Sequence, residues 1–252
     1  MNDVCLNQGE FWHSSPVASI AVKTAKDVDG MLWYIPDNLE GLWQDYSKTE
    51  KAIVNNPLGY LPDWTGEFDL YFYTEDFKRP FLREDAKQSK YLEFDGTKAI
   101  FTDKDFYVDG FLNDFSLCFA GNISSPSGII LGNYDAVSYN TFFIGSTAEG
   151  NIRIGAANAV FDLGIPWGTD MKVISVLKTG NNCKVRVDQQ LVLNEELPVT
   201  VRPAVNLQFQ EFEDTLDFAV SAKLVMQFMS FNTTKEQELV RIENLGKELI
   251  RA

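Results

Sequence analysis

The chain has 252 residues and a formal net charge of −14, from 36 acidic and 22 basic side chains. Hydrophobic residues make up 45% and aromatics 13%, a composition that supports a sizeable core and excludes intrinsic disorder. Nucleic acid and anionic membrane are not expected as partners, because backbone or headgroup phosphates require a basic footprint.

The start of the chain carries no basic region followed by an apolar run, so no secretory signal is expected and synthesis in a cytoplasm is inferred. No stretch approaches the ~20 apolar residues that span a bilayer. Cys5, Cys118 and Cys183 form no CxxC pair, and the latter two sit inside strand patterns as small apolar filler, so no disulfide is expected. Residues 1–30 read as an irregular arm with one short strand pattern at 17–22. His13, the sole histidine, has no nucleophile or carboxylate nominated beside it.

Residues 31–85 read as a leader packed on the main domain. A short strand at 32–35 meets Pro36 and Asp37, where the proline stops the ladder and the aspartate can cap a helical turn. Leu39, Leu42 and Trp43 recur at i, i+3, i+4, one face of such a turn. Trp33, Tyr34, Trp43 and Trp64 are candidate anchors, since scattered aromatics in a segment without its own core hold it against a neighbour.

From residue 86 the chain changes character. Tyr91 and Glu93 alternate with Leu92 and Phe94, and Asp95–Gly96 supplies a turn. Phe115, Leu117 and Phe119 share one face, with Ser116, Cys118 and Ala120 behind them. Short strands come next at 128–132, 141–145, 151–155 and 159–163, each bounded by Gly, Asn or Ser. Residues 172–178 and 183–188 form a hairpin through the turn 179–182, with Val185 and Val187 inside. Alternation continues at 189–193 and 204–210, and 216–231 reads as one long strand or a bulged one. Strands this short and this regularly punctuated predict two antiparallel sheets face to face. The last element differs: Thr233 and Glu236 form a capping box, and Leu239, Ile242, Leu245 and Leu249 recur at helical spacing up to Arg251.

The order of several motifs resembles bacteriophage virion proteins. Trp33-Tyr34-Ile35-Pro36-Asp37, then Leu42-Trp43-Gln44-Asp45, Asp63-Trp64-Thr65-Gly66, Arg79-Pro80 and Tyr91 to Gly96 match that family's sequence of pieces, and the resemblance covers roughly residues 31–251. It implies a concanavalin A-like, laminin G-like jelly roll over 86–252, closed by a short C-terminal helix. It also implies a non-enzymatic structural role in a capsid, tail or fibre, with docking through the N-terminal region. The partners it implies are other virion proteins and further copies of the chain. The chain departs from the pattern after Gly66, where Glu67 and Leu70 stand in place of the usual asparagine and histidine. It departs again at Gln189, where the family has glycine.

Three chemistries are conceivable on this frame. Retaining hydrolysis needs two carboxylates ~5 Å apart, which alternate residues on a strand supply. Glu211 and Glu213 are the nearest pair but do not meet the pattern of the enzymes of this fold, and no catalytic residue is assigned. Asp103, Asp105, Asp109, Asn113 and Asp114 are rich in oxygen but lack the EF-hand order, so no metal and no cofactor is expected. A glycan site wants aromatics with Asn and Asp on loops at one rim. Asn133, Tyr134, Asp135, Tyr139 and Asn140 form one such loop and Trp167 marks a second, with a host-surface glycan as the ligand of this alternative, lectin-like reading.

Overall fold

The computed structural model describes residues 32–36, 41–63, 70–71, 79–96, 100–102, 114–133, 141–157, 159–197, 208–209, 221–230 and 235–251. In chain order the first strands are β1 (Leu32–Tyr34), β2 (Tyr60–Leu61), β3 (Leu70–Tyr71), β4 (Phe81–Glu84), β5 (Lys90–Asp95) and β6 (Ile100–Thr102). The central ones are β7 (Phe115–Ile123), β8 (Gly128–Asn133), β9 (Thr141–Ser146), β10 (Asn151–Ala157) and β11 (Ala159–Pro166). Then come β12 (Lys172–Thr179), β13 (Asn182–Val187), β14 (Gln190–Glu196), β15 (Gln208–Phe209) and β16 (Ser221–Ser230), with helix α1 (Glu236–Arg251) last.

These strands form two antiparallel sheets. The first runs β14-β13-β12-β7-β16-β5-β4, with β1 also beside β16, and the second runs β11-β10-β9-β8-β15-β6-β3-β2. The mainly β, antiparallel sandwich with a C-terminal helix is therefore the architecture the alternation predicted. The hairpin of β12 and β13 pairs Ile174 with Val187 and Val176 with Val185, as the turn at 179–182 required.

Alternation decides what each strand buries. Phe115, Leu117 and Phe119 enter the core between the sheets, together with Leu92, Phe94, Ile144, Ile154, Val176 and Val185. On the far side of β7, Cys118 and Ala120 join Val173, Val225, Phe228 and the helix residues Leu239, Ile242, Leu245 and Leu249 in a second apolar cluster. Thus β7 is buried along its whole length, because α1 covers the face that the small residues leave low. Gly246 marks the closest approach: a Cβ there would lie 3.0 Å from the Met226 methyl and 3.3 Å from the Ala120 Cβ.

The helix begins two residues later than the capping box suggested. The Lys235 N–H donates to Glu238 Oε2 at 3.0 Å, the reciprocal half of a cap whose first residue is Lys235. Thr233 and Thr234 lie outside the described residues. Along its length α1 is also held by charge. Arg186 pairs with Glu236 and, at 3.1 Å, with the buried Glu243, which also accepts from the Ser175 hydroxyl.

The segment 31–85 enters both sheets: β1 and β4 belong to the first, β2 and β3 to the second. The boundary drawn at residue 86 has strands of both sheets on its N-terminal side. Trp33 and Tyr34 are 0% exposed, the first under α1 against Phe228 (ring centroids 5.0 Å apart) and the second in the core between the sheets. Trp43 is half-buried with the Lys51 ammonium 3.7 Å from its ring centroid, and Trp64 lies outside the described residues. Two long-range bonds fasten this segment. The Trp33 N–H donates to Asp63 Oδ1 at 2.7 Å, and Arg79 donates to the Gln44 carbonyl at 2.7 Å. These bonds join the motif pieces of the sequence in pairs.

A fully buried Trp33 contributes packing that a surface anchor would not. Trp33→Ala is expected to destabilise the isolated chain by about 3–5 kcal/mol in urea unfolding. A loss below about 0.5 kcal/mol, the size usual for surface positions, would contradict its burial.

Candidate functional site

Among the described residues an open cleft of about 700 Å³ lies at the end of the strands, within the volume range of small-molecule sites (roughly 300–1,000 Å³). Three connections converge there because alternate connections leave from the same end, two of them crossing between the sheets and one a hairpin turn within the second. They are residues 124–127 between β7 and β8, 147–150 between β9 and β10, and 167–171 between β11 and β12. Ser124, Ser125 and Thr169 bring hydroxyls, Glu149 a carboxylate, and Ile123, Pro126 and Pro166 apolar surface.

The loops are fastened to one another and to the sheets. Asn122, 4% exposed, donates both amide hydrogens, to the Gly168 and Asp170 carbonyls at 3.0 Å each. The Trp167 N–H donates to the Gly150 carbonyl at 3.0 Å, tying the 167–171 loop to the 147–150 turn. Ser124 donates through its N–H and its hydroxyl to the Ser221 carbonyl, and the Ser221 N–H donates to the Ser125 hydroxyl. Gly150 (φ 82°) and Gly168 (φ 65°) occupy left-handed backbone, which a side chain would strain.

Trp167 stands at this cleft as structure. Its ring is 1% exposed, stands edge-on to Phe119 at 5.9 Å, and its indole N–H donates to the Gly145 carbonyl at 3.0 Å. The ring is therefore a strut and a wall, with no open face for stacking. Residues 134–140 lie outside the described residues. The strand ends flanking them, paired as Asn133 with Phe142, are at the opposite end of the second sheet from Ser146 and Trp167. The cleft's own residues Asn122, Ser124, Ser125, Glu149 and Thr169 escaped the sequence reading because each is an ordinary turn former. Their signal was positional: Ser, Pro, Gly and Asp clusters recurring at every second connection.

Charge is sparse at the cleft. Lys223 lines it from β16, but its ammonium lies 5.1 Å from the Tyr91 ring centroid, on the outer face of the first sheet. Glu149 is thus the charged side chain that lines the cleft from its loops, with the exposed Asp170 on the 167–171 loop outside the lining.

A second cavity of about 400 Å³ lies beside Asp45, Thr49, Glu50 and Arg79. Its carboxylate is already occupied: Asp45 accepts from the Thr49 and Glu50 N–H groups and the Thr49 hydroxyl. Desolvation raises the Asp45 pKa, but these bonds together outweigh it and hold the group below its ordinary value. This cavity is the inside of a self-satisfied loop.

Neither described cysteine is set up as a nucleophile. Desolvation, then the negative charge of Glu243, raises the Cys118 thiol well above its ordinary pKa, and burial pushes Cys183 up to about 11 despite the nearby Lys178. Both are free thiols in different layers, and Cys5 lies outside the described residues. Glu211, Glu213 and the oxygen-rich stretch 103–113 also lie outside them. Asp114 accepts from the Gly180 N–H at 2.7 Å. Among the described residues no group of three or more His, Cys, Asp or Glu could hold a metal, and no helix is long and apolar enough to cross a membrane.

No protein-family model and no curated protein sequence matches the chain. Its structure is similar to domain 4 of AbnA, a GH43 extracellular arabinanase from Geobacillus stearothermophilus, solved in complex with arabinotriose. That match has 12% identity and a TM-score of 0.56, covering 88% of this chain and 98% of that one. The botulinum neurotoxin serotype D ligand binding domain in complex with N-acetylneuraminic acid gives 10% identity and 0.55, covering 91% of this chain and 52% of that one. Trypanosoma rangeli sialidase gives 11% and 0.56, covering 92% and 39%. The chain thus spans about half the length of the toxin binding domains it matches. At such identities the likeness shows the fold, a β-sandwich shared with domains solved with carbohydrate bound. None of these three is a virion protein.

Asn122 is the cleft's keystone. Asn122→Ala is expected to cost about 1–3 kcal/mol by stranding two carbonyl acceptors. Hydrogen exchange at 168–171 should quicken while β12 stays protected; unchanged exchange there would show that the loop holds without it.

Proposed function

We propose that the chain is a non-enzymatic carbohydrate-binding β-sandwich, the lectin-like reading of the sequence. The observation that carries it is the match to AbnA domain 4, which extends over 98% of a domain solved in complex with arabinotriose. Supporting it, the cleft at the loop rim combines hydroxyls, one carboxylate and apolar proline surface, the mixture a sugar presents in complement. The chain should retain on a panel of immobilised neutral and acidic oligosaccharides with at least one saturable interaction, and should release no reducing ends from any of them. A blank panel at high protein concentration would remove the reading, and turnover would move the chain among the enzymes.

A second reading, a virion structural component used in several copies, is favoured by the order of motifs from Trp33 to Gly96. The bonds from Trp33 to Asp63 and from Arg79 to Gln44 give those motifs a structural purpose, which serves a free-standing module equally well. Mass spectrometry of virions produced in a host carrying the gene should find the chain as a stoichiometric component if it holds. Its absence from purified particles would end this reading, and the two readings are compatible in one protein.

A further inference from the structure

We infer that the rim cleft between residues 124–127, 147–150 and 167–171 is the carbohydrate site, and that it takes the end of a neutral oligosaccharide, with Glu149 accepting a pair of sugar hydroxyls. This inference rests on the carbohydrate-binding reading and adds to it a location, a ligand class and a residue role.

Three observations lead there. The first is the balance of charge. An ionised carboxylate only accepts hydrogen bonds, and its two oxygens suit two neighbouring hydroxyls, whereas it repels the carboxylate of an acidic sugar. Glu149 is exposed on its turn, and the lysine that could offset it leans 5.1 Å from the Tyr91 ring on the outer face. A neutral polyol fits this arrangement and an anionic one does not. The second is the hydroxyl inventory. Ser124 spends its proton on the Ser221 carbonyl and so offers lone pairs, while Ser125 accepts from the Ser221 N–H and so keeps its proton to give. The cleft therefore presents both acceptors and donors, as a sugar hydroxyl edge requires. The third is the apolar surface. Pro126 and Pro166 are exposed beside these groups, and the buried Ile123 and Trp167 stand behind them, which supplies a floor for the C–H face of a sugar without an exposed aromatic ring.

The site is also rigid. The Asn122 bonds, the Trp167 N–H bond to Gly150 and the Ser124–Ser221 links fix all three loops before a ligand arrives, which lowers the ordering cost of binding.

The test titrates the full chain, labelled with nitrogen-15, with arabinotriose, with a panel of other neutral oligosaccharides and with N-acetylneuraminic acid, and repeats it on Glu149→Ala and Lys223→Ala. Glu149 is exposed, so the variant should keep the wild-type melting curve. At least one neutral oligosaccharide should shift amides confined to 124–126, 148–150 and 167–169, and Glu149→Ala should weaken it about tenfold or more. Lys223→Ala should leave its affinity within about twofold. Neutral-sugar binding that maps elsewhere, or that ignores Glu149→Ala, would overturn the site while the carbohydrate-binding reading stands. Preference for N-acetylneuraminic acid in the cleft would overturn the ligand class. Failure of every saccharide to bind would remove the underlying reading and this inference with it.

Discussion

The structure depends on β16, which is flanked by three strands. One edge pairs with β7 along most of its length; the other pairs first with β5, through Ser221 to Leu224, and then with β1, through Gln227 to Met229. The change of partner coincides with a bulge between Leu224 and Met226. A bulge inserts one residue and resets the alternation. Accordingly Ala222, Leu224 and Met229 belong to the core between the sheets, while the consecutive Val225 and Met226 both join the cluster under α1. One irregularity thus gives the early chain its place beside the last strand. It also has a consequence for polarity: Gln227 is 0% exposed, and neither of its amide atoms has a partner among the described residues.

With β1 in place, a single row crosses the outer face of the first sheet. Trp33 stands against Phe228, Phe228 is in register with Cys118, Cys118 with Ser175, and Ser175 with Arg186. The row grades from apolar to charged, and α1 lies over it with the matching gradient. Its leucines and Ile242 face the apolar end, and Glu243 and Glu236 meet Arg186. Apolar burial drives the helix onto the sheet, at roughly 25 cal/mol per Å² of apolar surface removed from water. The buried ion pair adds little net stability, because desolvation of both partners offsets their attraction. Its contacts tie two turns of α1 to the single Arg186 side chain of β13. The turn at Asp188 and Gln189 depends on the same helix. Both residues have positive φ, and Lys247 and Asn244 hydrogen-bond to them. These bonds hold a non-glycine residue in left-handed backbone.

Period and distance decide how much of this was legible. The strands β7, β12 and β13 are long enough for alternation to declare which face is buried, and the sequence reading placed them correctly. The strands β2 and β3 are two residues each and have no period to read, so the weaving of 31–85 into both sheets was hidden. Its motif residues were visible, but the Trp33–Asp63 and Arg79–Gln44 bonds span 30 and 35 positions, and spacing says nothing about such pairs. Trp167 was noticed for its size. Its burial could not be read, because a lone ring after a proline looks the same whether it points into solvent or toward Phe119.

The rim cleft obeys the same hierarchy. Both faces of the first sheet are covered, one by the second sheet and one by α1, so neither face offers an open surface at β7 or β12. An open cleft is left to the connections, which gather alternately at one end of the two sheets. Connections are ordinarily the mobile part of a domain. Here Asn122, rooted in the buried end of β7, reaches past the last strand residue of β11 to hold two carbonyls of the next loop, and Trp167 sinks its ring between the sheets. The core thereby extends its order into the loops. A loop rim stiffened in this way gives up the adaptability of a promiscuous surface; under the proposed carbohydrate-binding function it would select for the spacing of hydroxyls, the property in which one neutral sugar differs from another.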